Sequence, residues 1–164
     1  MKLLWAPWRI EYITGEKEQG CIFCRKPGDG NDKKNLILYN GQTSFIIMNR
    51  YPYANGHLMA VPYKHTSNLS ELSPEERLEL MDLTIKCTEI LKVMRPDGFN
   101  IGTNLGKTGG AGIDDHLHFH VVPRWSGDNN FMPVIADVRI MPEYLEDTYE
   151  TLSRQLNTLE RGER

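Results

Sequence analysis

At 164 residues, with 40% hydrophobic and 25% charged side chains, the chain has the makeup of one ordinary globular domain able to bury a core. Its formal net charge of −3 argues against a general affinity for nucleic acid or for anionic membrane. No stretch approaches the roughly 20 apolar residues of a membrane span, the first residues lack the apolar run of a signal peptide, and three cysteines are the wrong number for a disulfide framework, so a cytoplasmic protein is expected.

Residues 1–20 form a polar arm carrying Trp5, Trp8 and Tyr12, expected to pack on the domain surface. Cys21-Ile22-Phe23-Cys24 opens the core, taken as 21–125, and a Gly, Asp, Asn and Lys loop follows from Pro27 to Asn35. Leu36–Tyr39 and Ser44–Asn49 are β-rich runs separated by Asn40-Gly41, a hairpin signal. After the loop Tyr51–Gly56, the next strand is Gly56–Pro62. Ser73-Pro74-Glu75-Glu76 opens a helix, with Ser as N-cap, Pro at the first helical position and acids in the first turn. Leu80, Leu83, Cys87, Leu91 and Met94 give it one apolar stripe, which makes Cys87 a core residue, and Arg95–Gly98 ends it. Phe99–Asn104 reads as a strand and Gly102–Gly112 as a glycine-rich loop. A further strand carries His116, His118 and His120, and 126–164 supplies a loop through Asn129, Asn130 and Phe131 and a helix from about Pro142. Leu145, Tyr149, Leu152, Leu156 and Leu159 form that helix's docking stripe, for the domain or for a second subunit. The order of elements predicts an α+β fold: an antiparallel sheet of about five strands, a covering helix and a C-terminal helix.

The glycine-rich loop is not a Walker loop, because only Thr103, Asn104 and Leu105 separate Gly102 from Gly106-Lys107-Thr108 and no helix follows. It is either a plain connection or a turn whose bare N–H groups and Lys107 approach an anion. Cys21 and Cys24 can clamp a zinc ion from one turn, but a structural site wants four ligands, with His65 and one of the strand histidines as candidates. His116, His118 and His120 alternate with Leu117, Phe119 and Val121, so a half-buried strand would place the three imidazoles on one face, neighbours roughly 6.5–7 Å apart. A neutral imidazole is a good nucleophile near pH 7 and suits phosphorus chemistry, its flanking rings orienting it or protonating a leaving group. A hydrolytic metal on all three rings is the weaker reading, since the outer two would lie about 13 Å apart along a flat strand.

His116-Leu-His118-Phe-His120-Val121-Val122 resembles the motif of the histidine-triad family of nucleotidyl transferases and hydrolases. Phe45–Pro52 with Gly56-His57, Pro62-Tyr63-Lys64-His65, and Asn104-Leu105-Gly106 with Ala111-Gly112 resemble it too. Leu4–Arg9 and His120–Phe131 look like that family's bacterial diadenosine tetraphosphate phosphorylase branch. The resemblance implies a single domain of that family over 1–164. It also implies that His118 attacks the α-phosphorus to give a nucleotidyl-histidine, with His116 and His120 as its catalytic partners. Asn49 would bind ribose, Asn104 would sit by the phosphates with Gly106, Lys107 and Gly112 around them, and His57 would support the triad from behind. Zinc would be held by Cys21, Cys24, His65 and His116, and the double demand on His116 favours its role as ligand. Inorganic phosphate as second acceptor would convert diadenosine tetraphosphate to ADP and ATP, whereas water would release AMP from dinucleoside polyphosphates or phosphoramidates. A divalent cation such as magnesium is expected to accompany the polyphosphate, and a homodimer is implied. The chain departs from many relatives in carrying Ile113-Asp114-Asp115 where a phosphate-touching Gln follows Ala-Gly. These acids read as solvated turn residues, or as partners of the histidines or of a cation. A nucleotide-binding regulator without turnover is the alternative of another class; an intact His118 speaks against it.

Overall fold

The structure, a computed structural model, describes residues 20–128 and 141–162. The aromatic arm and the expected loop residues Asn129, Asn130 and Phe131 lie outside the described residues. Two single-turn helices, α1 (Ile22–Arg25) and α2 (Asp32–Asn35), lead into β1 (Ile37–Asn40), β2 (Ser44–Met48) and β3 (Leu58–Pro62). Helix α3 (Pro74–Leu91), strands β4 (Gly98–Gly102) and β5 (Phe119–Arg124), and helix α4 (Leu145–Glu160) complete the chain. The five strands form one antiparallel sheet in the order β1-β2-β3-β5-β4, the α+β architecture that the element pattern predicts.

Strands β2 and β3 are buried along their whole length, which is why they read as continuous apolar runs. Helix α3 covers them with Leu80, Leu83, Cys87, Ile90 and Leu91, and Cys87 is fully buried as the stripe predicts. Its start is a capping box: the Ser73 hydroxyl accepts from the Glu76 N–H while the Glu76 carboxylate accepts from the Ser73 N–H. The regular helix stops at Leu91, and Met94 follows in a 3-10 turn (Lys92–Met94). There its sulfur packs on Gly56, where an added Cβ would lie 2.6 Å away and where φ is +76°, so this turn accepts glycine alone without strain.

Helix α4 begins at Leu145, three residues after the expected start. Glu143 is used otherwise: its carboxylate accepts from the buried Thr148 hydroxyl (2.6 Å) and from the Asn55 amide (3.3 Å). With the Tyr149 hydroxyl donating to the Ile37 carbonyl (2.9 Å), these bonds tie α4 to β1 and to the loop before β3.

Strand β5 also departs from expectation, since it starts at Phe119 and leaves His116 and His118 before it. The ladder to β3 ends at Phe119↔Ala60 because β3 closes on Pro62, which has no N–H to donate. The Pro62 carbonyl accepts from the His116 ring, and on the β4 side the His118 carbonyl accepts from the Thr103 hydroxyl (2.8 Å). Leu117 and Val121 enter the core, whereas Phe119 is half-buried.

Candidate active site and metal cluster

Freed from a flat strand, the three histidines do not stand in a row. The rings of His118 and His120 approach to 4.8 Å between centroids, closer than strand spacing gives, and meet edge to face at 82°. His116 turns into a separate cluster. Its Nε2–H donates to the Pro62 carbonyl (2.8 Å), so its Nδ1 lone pair faces Cys21 Sγ (3.2 Å), Cys24 Sγ (3.5 Å) and His65 Nδ1 (3.2 Å). These four donor atoms all lie within 4.8 Å of one another.

Two sulfurs and two imidazole nitrogens, linked to one another by hydrogen bonds, form a donor set suited to a soft cation. Among protein groups alone the Cys24 thiol is pushed up to about 11, by desolvation first and then by the Cys21 thiol. A cation in their midst would reverse that by favouring thiolate. The donor set therefore fits a tetrahedral metal, and among the described residues it is the cluster able to hold one. Asp115 lies at its edge, a carboxylate oxygen 3.8 Å from His65 Nε2, while Asp114 stands 3.9 Å from the Lys107 ammonium; all four side chains are well exposed.

His118 is buried, and its Nδ1–H donates to the His116 carbonyl (2.9 Å). That bond assigns the proton to Nδ1 and leaves the Nε2 lone pair, which meets no hydrogen-bonding group among the described residues. Burial lowers its pKa from the ordinary value, with the carbonyl contact opposing, so the ring stays neutral and nucleophilic.

On the far side a relay fixes His120. Fully buried His57 accepts at Nδ1 from the Tyr53 N–H (3.1 Å) and from the Asn49 amide (3.3 Å). Its proton therefore sits on Nε2 and is donated to His120 Nδ1 (2.9 Å), so His120 in turn carries its proton on Nε2. Burial, and then the neighbouring His118, pushes the His120 pKa down to about 4. The Tyr53 ring packs on both relay histidines, 4.8 Å from His57 and 5.7 Å from His120.

Of the other residues singled out, Asn49 also accepts from the Tyr51 N–H (2.9 Å) and so shapes the loop that aims His57. Asn104 donates to the Gly110 carbonyl (3.3 Å), closing the glycine loop on itself. Gly106 (φ +70°) receives the Gly109 and Ala111 N–H groups within that loop, and Lys107 and Gly112 are exposed on it. Its link to the triad is Thr103, through the His118 carbonyl.

Four contributors carried no signal in the histidine spacing: Phe23, Tyr53, Thr103 and the Pro62 carbonyl. Phe23 alone had one, its place inside the Cys-x-x-Cys.

Comparison with known proteins shows the family. The HIT domain family model matches residues 31–127, including all five histidines. The chain is 36% identical, over 94% of its length and 84% of the other's, to the AP-4-A phosphorylase of Mycobacterium tuberculosis. It is 27% identical over 83% of its length, and 98% of the other's, to the adenosine 5'-monophosphoramidase of Schizosaccharomyces pombe. Among solved structures it is similar to a zinc-bound histidine triad family protein from Mycobacterium smegmatis. That match has a TM-score of 0.70 and 26% identity, covering 87% of this chain and 97% of that one.

Proposed function

Because this chain belongs to the histidine-triad (HIT) family, we propose that it is a nucleotidyl transferase acting on dinucleoside polyphosphates, and that its reaction is phosphorolysis of diadenosine tetraphosphate to ADP and ATP. The observation that carries this reading is the Nδ1–H of His118 held by the His116 carbonyl, which leaves Nε2 as a lone pair beside a second, proton-bearing imidazole.

His118 Nε2 attacks the α-phosphorus of one adenylyl group. A P–N bond forms while the P–O bond to the remaining chain breaks, and ATP leaves with the electron pair. His120, whose Nε2–H the His57 relay maintains, donates to the departing or non-bridging oxygen. Inorganic phosphate then attacks the adenylyl-histidine phosphorus, ADP forms, and the pair returns to His118 Nε2. His116 contributes its carbonyl, since both its ring nitrogens are engaged elsewhere. Asn49 holds the ribose and His57 the relay, while Asn104 with Gly106, Lys107 and Gly112 surrounds the phosphates, accompanied by magnesium.

Zinc is the cation for Cys21, Cys24, His65 and His116, a reading supported by the two-sulfur, two-nitrogen set and by the zinc-bound structural relative. Reduced thiols as ligands suit the cytoplasm. The chain works as a homodimer: edge strand β4 exposes Asn100, Ile101 and Gly102, and the outer face of α3 exposes Leu78, Met81 and Ile85 at helical spacing.

The test is incubation with diadenosine tetraphosphate with and without inorganic phosphate. ADP and ATP in equal amounts, only with phosphate, is expected. AMP as the early product in both arms would replace phosphorolysis with hydrolysis, the activity class to which the fission-yeast relative's name points.

A further inference from the structure

The helical turn α1 places Phe23 between the two cysteines of the metal cluster. Its side chain is 1% exposed. Its ring meets His116 in a T-shaped contact at 5.4 Å and packs beside His118 at 5.2 Å, tilted by 45°. Two contacts thus restrain the His118 ring from the cluster side: the His116 carbonyl on Nδ1 and the Phe23 ring against its flank. Both come from residues whose place is set by the four donors, since His116 is itself one and Phe23 is flanked by two.

Both restraints matter for the reaction assigned to His118, on which this inference rests. A neutral imidazole has two tautomers, and only the one with its proton on Nδ1 leaves Nε2 free for attack. A ring that swings about its side-chain torsions also loses the in-line geometry, and a misplacement of about 1 Å costs roughly 10²-fold in rate.

We propose that the Cys21–Cys24 turn is a positioning device for the nucleophile, with Phe23 as its working surface. With a cation among the four donors, Phe23 is clamped against His118 and the His116 carbonyl is held on its Nδ1. The metal cluster then acts on the chemistry through an aromatic wedge and a backbone oxygen, without touching the substrate. Phe23 is a positioning residue in this scheme; it contacts the nucleophile's ring and takes no part in bond making.

The experiment uses zinc-loaded protein with ¹⁵N-labelled histidine, as parent, Phe23→Leu and Phe23→Ala, with a chelator-treated parent alongside. Ring ¹⁵N resonances report the His118 tautomer in the neutral range, metal analysis reports zinc, and turnover of diadenosine tetraphosphate gives kcat and KM. In the parent, His118 is expected as a single Nδ1–H form. Phe23→Ala keeps its zinc but shows both tautomers, with kcat down by roughly 10–100-fold and KM little changed. Phe23→Leu recovers most of the loss, and the chelated parent resembles Phe23→Ala. Retained zinc with an unaltered His118 tautomer and unaltered kcat in Phe23→Ala overturns the proposal. If Phe23→Ala does not fold, the chelated parent decides: an unaltered His118 tautomer with unaltered kcat once zinc is removed overturns the proposal. The tautomer readout needs no turnover, so a parent inactive on diadenosine tetraphosphate overturns the proposed reaction while the clamp is still judged by the resonances.

Discussion

The two flanks of His118 are built from different materials. On one side two thiols and two imidazoles bring four donor atoms within 4.8 Å of one another, a grouping that could hold a cation. On the other side a backbone N–H, His57 and His120 pass one hydrogen-bond direction from ring to ring, each imidazole neutral and each proton assigned by its neighbour. The His116 carbonyl, on the cluster side, places the His118 proton on Nδ1, and the relay side places the His120 proton on Nε2; in the proposed reaction these are the nucleophile and the general acid. The first should therefore answer to chelation and the second to pH, although the two rings they aim are 4.8 Å apart.

The largest expected effect falls on the ring both flanks serve. His118→Asn should lower turnover by about 10⁴-fold or more while AMP binding, measured by calorimetry, is retained. If turnover survives, neither flank is aiming a nucleophile. Next come changes confined to one flank. His57→Ala removes the donor to His120 Nδ1 and should reduce kcat by roughly 10²-fold with zinc content unchanged. Conversely, zinc at 100–1,000 times its dissociation constant stabilises the fold by roughly 3–4 kcal/mol, so chelation should lower the urea midpoint accordingly. An equal loss of zinc in His57→Ala would erase the distinction between the flanks.

Gly56→Ala tests the turn that delivers His57. At φ +76° and with Met94 Sδ 2.6 Å from the added carbon, it should cost about 2 kcal/mol in chemical denaturation. The smallest effect is that of acid on the relay. His120 in the folded protein is held down to about 4, facing His57, His118 and Tyr53, while unfolded histidine titrates near 6.5. The unfolded chain thus takes up the proton first, and stability falls as the pH drops from about 6.5 towards 4. About 1–2 kcal/mol is expected after allowing for solvent screening, and the loss should shrink in His120→Gln.

Legibility in the sequence followed the same division. The sheet, the covering helix and its cap could be read from periodicity and from Ser73-Pro74-Glu75-Glu76, because burial and capping act over a few neighbouring residues. The start of β5 could not, since it depends on Pro62 lacking an N–H across the sheet and on Thr103 taking the His118 carbonyl. Of the metal cluster, the sequence showed the two cysteines and offered His65 with one strand histidine as candidates; the choice of His116 came with the family resemblance, since these ligands lie 41 and 92 residues from Cys24. Phe23 enters through ring packing, of which its place inside the Cys-x-x-Cys is the sole trace, and Tyr53 through its backbone N–H, which leaves no pattern in residue types. For the same reason the bond that decides the His118 tautomer, to a main-chain oxygen two residues away, emerged only from the geometry.

Trapping the covalent intermediate tests the central claim most directly. Protein mixed with diadenosine tetraphosphate in the absence of inorganic phosphate, quenched without acid because the P–N bond is acid-labile, should yield by peptide mass spectrometry an adenylyl group on His118, discharged to ADP when phosphate is added. An adenylyl group on another residue, or rapid turnover with no protein-bound nucleotide at any time, would contradict the account.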